Sequence, residues 1–302
     1  MAATRPASGE PAALSADAVL AAREQASIWQ LLLKNRSVFW GGLLLVVMVL
    51  IAAIWPLFTT PPTEQNVLSR LKAPSAEWWF GTDFLGRDVF ARVIHGARVS
   101  LVVGLAVAVV ATAIGLVTGL VAGYVRALDA VIMRVMDGLM AIPAILLAIA
   151  LISISGATLS TVIIAITIPE IPRVVRLVRS VVLTVREEPY VEAAIASGTR
   201  LPLILYRHIL PNTIAPLIVQ ATYVCGAAML TESILGFLGA GIPPEIPSWG
   251  NIMAEGRTYF QLTPWIIFYP GIALALTVLA VNIVGDGLRD TLDPRIARKL
   301  RT

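Results

Sequence analysis

The sequence predicts an all-α integral membrane protein with six transmembrane helices, and three observations carry this prediction. Of 302 residues, 57% are hydrophobic and 14% are charged, whereas a soluble domain has about 25% charged residues. The mean hydropathy is +0.82. Six apolar runs approach or reach the roughly 20 residues with which a helix crosses a bilayer. These runs are 39–58, 101–122, 139–154, 159–178, 214–238 and 265–284.

The chain begins with a tail and a first span. Residues 1–35 are rich in alanine and hold too little large apolar surface to build a core, so we expect a cytoplasmic tail that is mobile or loosely helical. The first transmembrane helix is assigned to 36–60. Its apolar run exceeds the 7–15 residue core of a cleaved signal peptide, so we interpret it as a signal anchor that stays in the membrane.

Residues 61–98 are predicted to be an extracytoplasmic segment that contains an interfacial helix over 76–97. Polar and apolar side chains alternate there in the pattern of a helix lying along the membrane surface. The simpler interpretation, which we favour, is an elbow that leads into the second span. The polar positions are Asp83, Arg87, Asp88 and Arg92, with Phe84, Val89, Phe90 and Val93 between them.

Residues 99–290 are predicted to form a core of five further spans. The second span is rich in glycine and alanine, which favours a position inside the helix bundle because small side chains let helices approach closely. We expect the third span to gain length from 132–136. The fourth is interrupted by Pro169, Glu170 and Pro172, which neighbouring helices can accommodate by satisfying the freed backbone groups.

The distribution of basic residues predicts the orientation. With a cytoplasmic N-terminus, 17 of the 23 lysines and arginines fall on the cytoplasmic side, as the positive-inside rule requires. Both termini are then cytoplasmic, and residues 291–302 form a second cytoplasmic tail. The same rule and an anionic bilayer surface explain the net charge of +4 better than nucleic-acid binding does.

The composition argues against a catalytic or metal-binding site in this chain. A single cysteine, Cys225, cannot form an internal disulfide, and two histidines leave little for a metal or catalytic site. None of the three lysines lies in a GxxxxGK[ST] phosphate loop, so the chain has no ATPase motif. We therefore expect no catalytic residue, no metal and no bound cofactor.

A polar island interrupts the apolar spans at 188–211, within a loop assigned to 186–212 that is called the coupling segment below. Its sequence, EPYVEAAIASGTRLPLILYRHILP, predicts a short helix, a turn at Gly198, and a second helix with Pro202 in its first turn. Val191, Ala194 and Ile195 give the first helix an apolar stripe. These residues alone favour neither of two interpretations: a surface that binds a partner protein, or a helix pair that lies on lipid.

The island resembles the EAA loop of ATP-binding-cassette (ABC) importer permeases. That pattern is Glu-Ala-Ala, three residues, Gly, nine residues, Ile, any residue, Leu-Pro. In this chain His208 stands in place of the Ile, and Glu192, Ala193, Ala194, Gly198, Leu210 and Pro211 fall in register. Further blocks resemble the C-type subunit of dipeptide and oligopeptide permeases, among them FGTDFLGRDVFARVIHGARVSL, LTESILGFLGAGI and PPEIPSWGNIMAEGR. The similarity covers about 36–295.

The resemblance implies a type I ABC importer permease fold in a bacterial inner membrane. It also implies that an ATPase subunit binds the coupling segment. It implies four kinds of partner: a homologous second permease, two ATPase subunits that use ATP and magnesium, an extracytoplasmic peptide-binding protein, and lipid. Nickel or glutathione is the alternative cargo within this family. A secondary transporter is a weaker alternative, because the sequence shows no internal repeat with matching broken helices.

Polar residues in the spans are candidates for the substrate pathway, because such side chains usually face the bundle or water. Glu232 with Ser233 comes first, and Asn282 and Asp137 follow; for each, a structural hydrogen bond between helices is the alternative. The extracytoplasmic loop 239–263 is predicted to meet the binding protein. Its candidate contacts are Pro244, Trp249 and Arg257, and an interfacial anchor explains Trp249 nearly as well.

Overall fold

The computed structural model describes residues 35–55, 58–59 and 61–292. The predicted tails lie outside these residues, apart from Asn35 and residues 291–292. The elements of the described part are helices, with one isolated β-bridge between Thr82 and Asp88. The predicted all-α class is therefore confirmed.

The number of spans is only partly settled by helix length and composition. Among the described residues, four helices are long and apolar enough to cross a membrane, and a bent helix pair would make a fifth. The helix over the predicted fourth span, Leu159–Arg186, is not among them because it carries Glu170 and four arginines. The count of six stays a prediction.

Helix α1 (Arg36–Ile54) packs against the last helix, α10 (Trp265–Leu292). The approach is close enough that a Cβ on Gly41 would lie 2.7 Å from Ile283. The Asn35 side chain caps α1 by accepting a hydrogen bond from the first turn (3.0 Å), and its amide also reaches α10. The two ends of the described chain are thus held together.

Helix α2 (Val89–Tyr124) lies inside the bundle, as its small residues predicted. At about 1.5 Å per residue its 36 residues span roughly 54 Å, which exceeds the bilayer core. A Cβ on Gly115 would lie 2.5 Å from Val174 of α5 (Leu159–Arg186), so only glycine permits this packing. The same contact recurs at Gly119 with Val178 and at Gly123 with Val182.

The predicted interfacial helix over 76–97 is wrong for residues 76–88. These residues form turns, and α2 begins at Val89, with the Asp88 side chain accepting a hydrogen bond from the Phe90 amide (2.9 Å). Gly81 and Gly86 have φ of +73° and +76°, a conformation that a right-handed helix excludes. The favoured elbow is closer to what the structure shows, although it is a folded loop.

The predicted third span is also not one helix. α3 (Arg126–Ala141) and α4 (Ala144–Ser155) meet at an angle of 88°. Pro143 explains the break, because its ring disfavours helical backbone at the preceding residue and it has no amide to donate. Accordingly, Ile142 is extended, with φ −91° and ψ 128°. By contrast, α5 stays continuous through Pro169 and Pro172.

The remaining helices complete the bundle. α6 (Pro189–Ala196) stands alone, and a continuous helical stretch of 37 residues then runs from Leu201 to Phe237. That stretch comprises α7 (Leu201–Ile204), a π-helical turn (Leu205–Ile209) and α8 (Leu210–Phe237). α9 (Trp249–Thr258) follows as a short helix before α10. One hydrophobic core joins α2, α4, α5 and α8, and a second joins α1, α2, α9 and α10.

Candidate functional site

The coupling segment has the predicted shape of helix, glycine turn and second helix. α6 begins with Pro189, whose missing amide costs nothing in a first turn. It ends in a Schellman motif, in which the Thr199 amide donates to the Ala194 carbonyl (3.1 Å) and the Gly198 amide donates to the Ile195 carbonyl (2.9 Å). Gly198 has φ +76°, so the glycine of the pattern is required by the turn.

One face of the coupling segment is anchored in the bundle. Val191 of α6 is fully buried in the same core cluster as Val185 of α5 and Ile204 and Ile209 of the following helix. This contact fixes α6 against the end of one long helix and the beginning of another. The predicted stripe is only half right, because Ala194 is half-buried and Ile195 is 47% exposed.

Apart from its buried residues, the coupling segment is exposed and carries several large apolar side chains. Glu192 and Ala193 are exposed as well, and Arg200 and Arg207 add positive charge. Scattered apolar residues are ordinary on a surface, but a cluster rimmed by charge is typical of an interaction site. The exposed apolar side chains are Tyr190, Ile195, Leu201, Leu203 and Tyr206.

A small polar network holds the C-terminal part of the segment. The His208 ring lies 6.0 Å from the Tyr190 ring, and the Asn212 amide group donates to the Tyr190 hydroxyl (3.2 Å) and to the His208 carbonyl (2.7 Å). Pro211 has no amide for the preceding turn, and the chain widens into a π-turn in which Leu210 donates to the Leu205 carbonyl. Asn212 and the His208 ring therefore join the second helix to α6, both through Tyr190.

Comparison with known proteins identifies the family. Residues 111–298 match the family model described as binding-protein-dependent transport system inner membrane component. The chain belongs to this family. Residues 26–74 also match the N-terminal transmembrane domain of oligopeptide transport permease C. The resemblance drawn from the EAA pattern is thereby confirmed.

Three relatives illustrate the range of similarity. This permease is 55% identical to the probable peptide ABC transporter permease protein y4tQ of Sinorhizobium fredii, over 88% of this chain and 91% of that protein. It is 48% identical to a putative peptide transport system permease protein of Brucella abortus (88% and 90%). The glutathione transport system permease protein GsiD of Pectobacterium atrosepticum is 38% identical (89% and 90%).

The residues predicted for the substrate pathway do not come together in this permease. Glu232 is fully buried and accepts a hydrogen bond from Ser100 of α2 (3.0 Å), and the Ser233 hydroxyl lies 3.5 Å from the same carboxylate oxygen. This is the interhelical hydrogen bond that was the alternative for Glu232. Asn282 lies on an exposed face of α10, and Asp137 pairs with Arg176 (2.6 Å).

Two of the three residues predicted to meet the binding protein lie on the surface of loop 239–263, and the contact itself stays a prediction. Pro244 and Arg257 are exposed, and the Arg257 guanidinium lies 5.6 Å from the Phe237 ring. The docking and anchor interpretations of Trp249 are both wrong, because its side chain is 1% exposed and donates to the Val93 carbonyl (3.0 Å). A ring buried between α9 and α2 cannot meet a partner or a membrane surface.

A buried ion cluster was missed by the sequence reasoning. Asp83 accepts hydrogen bonds from Arg87 (2.6 Å) and Arg92 (2.8 Å), and Glu255 of α9 contacts both arginines. Arg92 is 1% exposed. The alternation of acidic and basic residues at 83–92 was a sign of this cluster. Glu255, however, lies more than 160 residues away in sequence, and nothing around it marks it as their partner.

Proposed function

We propose that this chain is a transmembrane subunit of an ATP-driven importer of peptides and that an ATPase subunit docks on its coupling segment. The observation that supports docking is that α6 is anchored by one buried residue and exposed at most others. Val191 fastens α6 to the bundle, whereas Tyr190, Glu192 and Ile195 of the same helix are exposed. A short helix fixed in this way can transmit a push to the long helices on both sides.

The exposed face fits a protein groove better than a lipid surface. A helix pair that lies on lipid carries basic residues along its polar face, whereas this face has Glu192 on α6 and two arginines farther along. Aromatic and apolar side chains ringed by charge are the composition of a protein–protein contact. A protein partner therefore fits the coupling segment better than a lipid surface does.

The coupling mechanism follows from differential contact. Closure of the ATPases on ATP would displace α6, and the continuous helix from Leu201 to Phe237 would tilt with it as a rigid body. The ATP-bound ATPases must favour the outward-open arrangement over the inward-open one, since a partner that binds both equally shifts nothing. ATP and magnesium would be bound by the ATPases, and this chain would bind no cofactor.

Peptides are the proposed cargo because the more similar relatives carry peptide names. The glutathione permease is less similar, at 38% identity, and glutathione is itself a modified tripeptide, so it remains the second candidate. We also propose a homologous second permease and an extracytoplasmic binding protein as partners, in keeping with the family description.

Two substitutions test the coupling role in the complete importer, reconstituted in proteoliposomes. Glu192→Lys reverses an exposed charge, and Gly198→Asp adds a negative charge at the turn. Both should lower peptide uptake per ATP hydrolysed while the complex still assembles in the membrane. Unchanged uptake in both variants would refute the coupling assignment, and uptake of glutathione in preference to peptides would refute the cargo.

A further inference from the structure

Three ion pairs follow one another along residues 170–179 of α5. Arg173 pairs with Glu170 of the same helix (3.1 Å), Arg176 with Asp137 of α3 (2.6 Å), and Arg179 with Asp129 of α3 (2.5 Å). The three arginines are spaced three residues apart and so follow one side of the helix. No part of the transport function described above uses them.

In the predicted fourth span, which begins at Leu159, the first two of these ion pairs fall at membrane depth. About 20 helical residues cross the roughly 30 Å hydrocarbon core, so that span reaches the far boundary near residue 178. Arg173 is the fifteenth of the 28 residues of α5. In that span, Arg173 and Arg176 fall within the hydrocarbon layer and Arg179 falls at its edge.

The same two arginines are exposed on the surface of the subunit. The side chains of Arg173 and Arg176 are 43% and 45% accessible, and Asp137 is 56% accessible. Charged side chains at this depth avoid lipid and face either the bundle or a water-filled cavity. Since these side chains do not face the bundle of their own chain, the surface that they share faces either water or the second permease.

The three ion pairs also differ in how many nitrogens of the arginine side chain donate hydrogen bonds. Arg179 donates from two nitrogens to both oxygens of Asp129 (2.5 and 2.7 Å), the saturated fork geometry. Arg173 contacts Glu170 through one nitrogen, Nη1, and Arg176 contacts Asp137 through Nη2 alone. A guanidinium has five N–H donors, so Arg173 and Arg176 keep donors available for a further anion.

We propose that Arg173 and Arg176 line the translocation passage and bind the terminal carboxylate of a peptide in transit. This inference rests on the proposed peptide-import function and adds a site to it. Every unmodified peptide has a terminal carboxylate whatever its sequence, and a guanidinium matches a carboxylate in shape and charge. Because Glu170 and Asp137 compete for the same arginines, the contact is weak enough for the peptide to leave, as conduction requires.

The first test asks whether the surface around Arg173 is accessible to water. In a Cys225→Ala background, which removes the single native cysteine, Arg173→Cys and Leu105→Cys are introduced into the complete importer. Leu105 is a matched control because it is an exposed apolar residue (62%) midway along α2. A charged methanethiosulfonate reagent should modify Arg173→Cys in at least one nucleotide state, more slowly with peptide present, and should leave Leu105→Cys unmodified.

The second test asks whether the site recognises the carboxylate. Proteoliposomes with the complete importer are given a tripeptide with a free C-terminus and the same tripeptide with an amidated C-terminus. Taking the ratio of the two uptake rates for each variant cancels the preference of the binding protein. Arg173→Gln should lower this ratio about tenfold, the scale of a charge-assisted hydrogen bond, and Arg173→Lys should restore part of it.

Each result decides a separate point. An unmodified Arg173→Cys in every nucleotide state would mean that the partner permease or lipid covers this face, and it would overturn the proposal. If Arg173→Cys is modified but the uptake ratio is unchanged in Arg173→Gln, the surface is accessible to water but does not bind the carboxylate. This result would also overturn the proposal. If the unaltered importer took up no peptide, the proposed function would fail, whereas the labelling pattern would still report whether the face is wet.

Discussion

Gly198 shows how one residue of a pattern acquires its physical meaning. Its φ of +76° closes the Schellman motif, and no atom lies within 4 Å of the place where a Cβ would stand. Substitution therefore costs backbone strain without a steric clash, about 1 kcal/mol or more for an ordinary residue. The sequence could predict this turn because the requirement is local.

We predict that Gly198→Asn keeps more coupling than Gly198→Val, because Asn tolerates the left-handed conformation and Val does not. Peptide uptake per ATP hydrolysed measures the difference. Gly239 closes a second Schellman motif at the other end of α8, with φ +79°. Gly239→Val is therefore the control and should strain a turn without changing coupling. Equal coupling in the two Gly198 variants would contradict this account.

The buried ion cluster gives a second prediction for a single residue. Glu255→Gln removes one of the two carboxylates that face Arg87 and Arg92, so a nearly buried positive charge loses its balance. Breaking a buried ion pair costs about 3 kcal/mol or more, and the thermal midpoint of the purified permease should fall. Arg257→Gln, on the exposed side of the same helix, should change it little. An unaltered midpoint in Glu255→Gln would show that the cluster does not stabilise the fold.

At the scale of elements, local signals predicted some boundaries and failed at others. The sequence predicted that the coupling segment folds as two helices, but it predicted an interruption at Pro169 and Pro172, where α5 is continuous. It missed the 88° bend at Pro143, since the apolar run 139–154 continues across it. It also missed the burial of Trp249, because whether an aromatic side chain faces lipid or a neighbouring helix depends on a contact with α2 that lies far away in sequence.

The buried and exposed residues of α6 can be distinguished by a pair of substitutions. Val191→Ala removes buried apolar volume, about 2 kcal/mol of packing free energy, so α6 should loosen from the bundle. Ile195→Ala removes an exposed side chain and should leave α6 in place. Hydrogen exchange over 189–196 in the isolated permease should be faster in Val191→Ala and unchanged in Ile195→Ala. The same exchange rate in both variants would contradict the anchoring role of Val191.

At the scale of the whole molecule, composition predicted the membrane class and the EAA pattern predicted the family. The substrate pathway could not be predicted in the same way. Glu232 is the most conspicuous polar residue of a span, yet it lies between helices of its own chain. The charged face of α5 became apparent only from the exposure of Arg173 and Arg176 in the structure, which cannot be read from one segment of sequence.

Contact between an ATPase and the coupling segment is the central claim, and site-specific crosslinking tests it most directly. In the Cys225→Ala background, a photoreactive maleimide is placed on Ile195→Cys and, as a control, on Leu238→Cys, an exposed residue (55%) at the opposite end of α8. The account predicts an adduct with the ATPase subunit from residue 195 and none from residue 238. No adduct from residue 195, or equal yields from both positions, would contradict it.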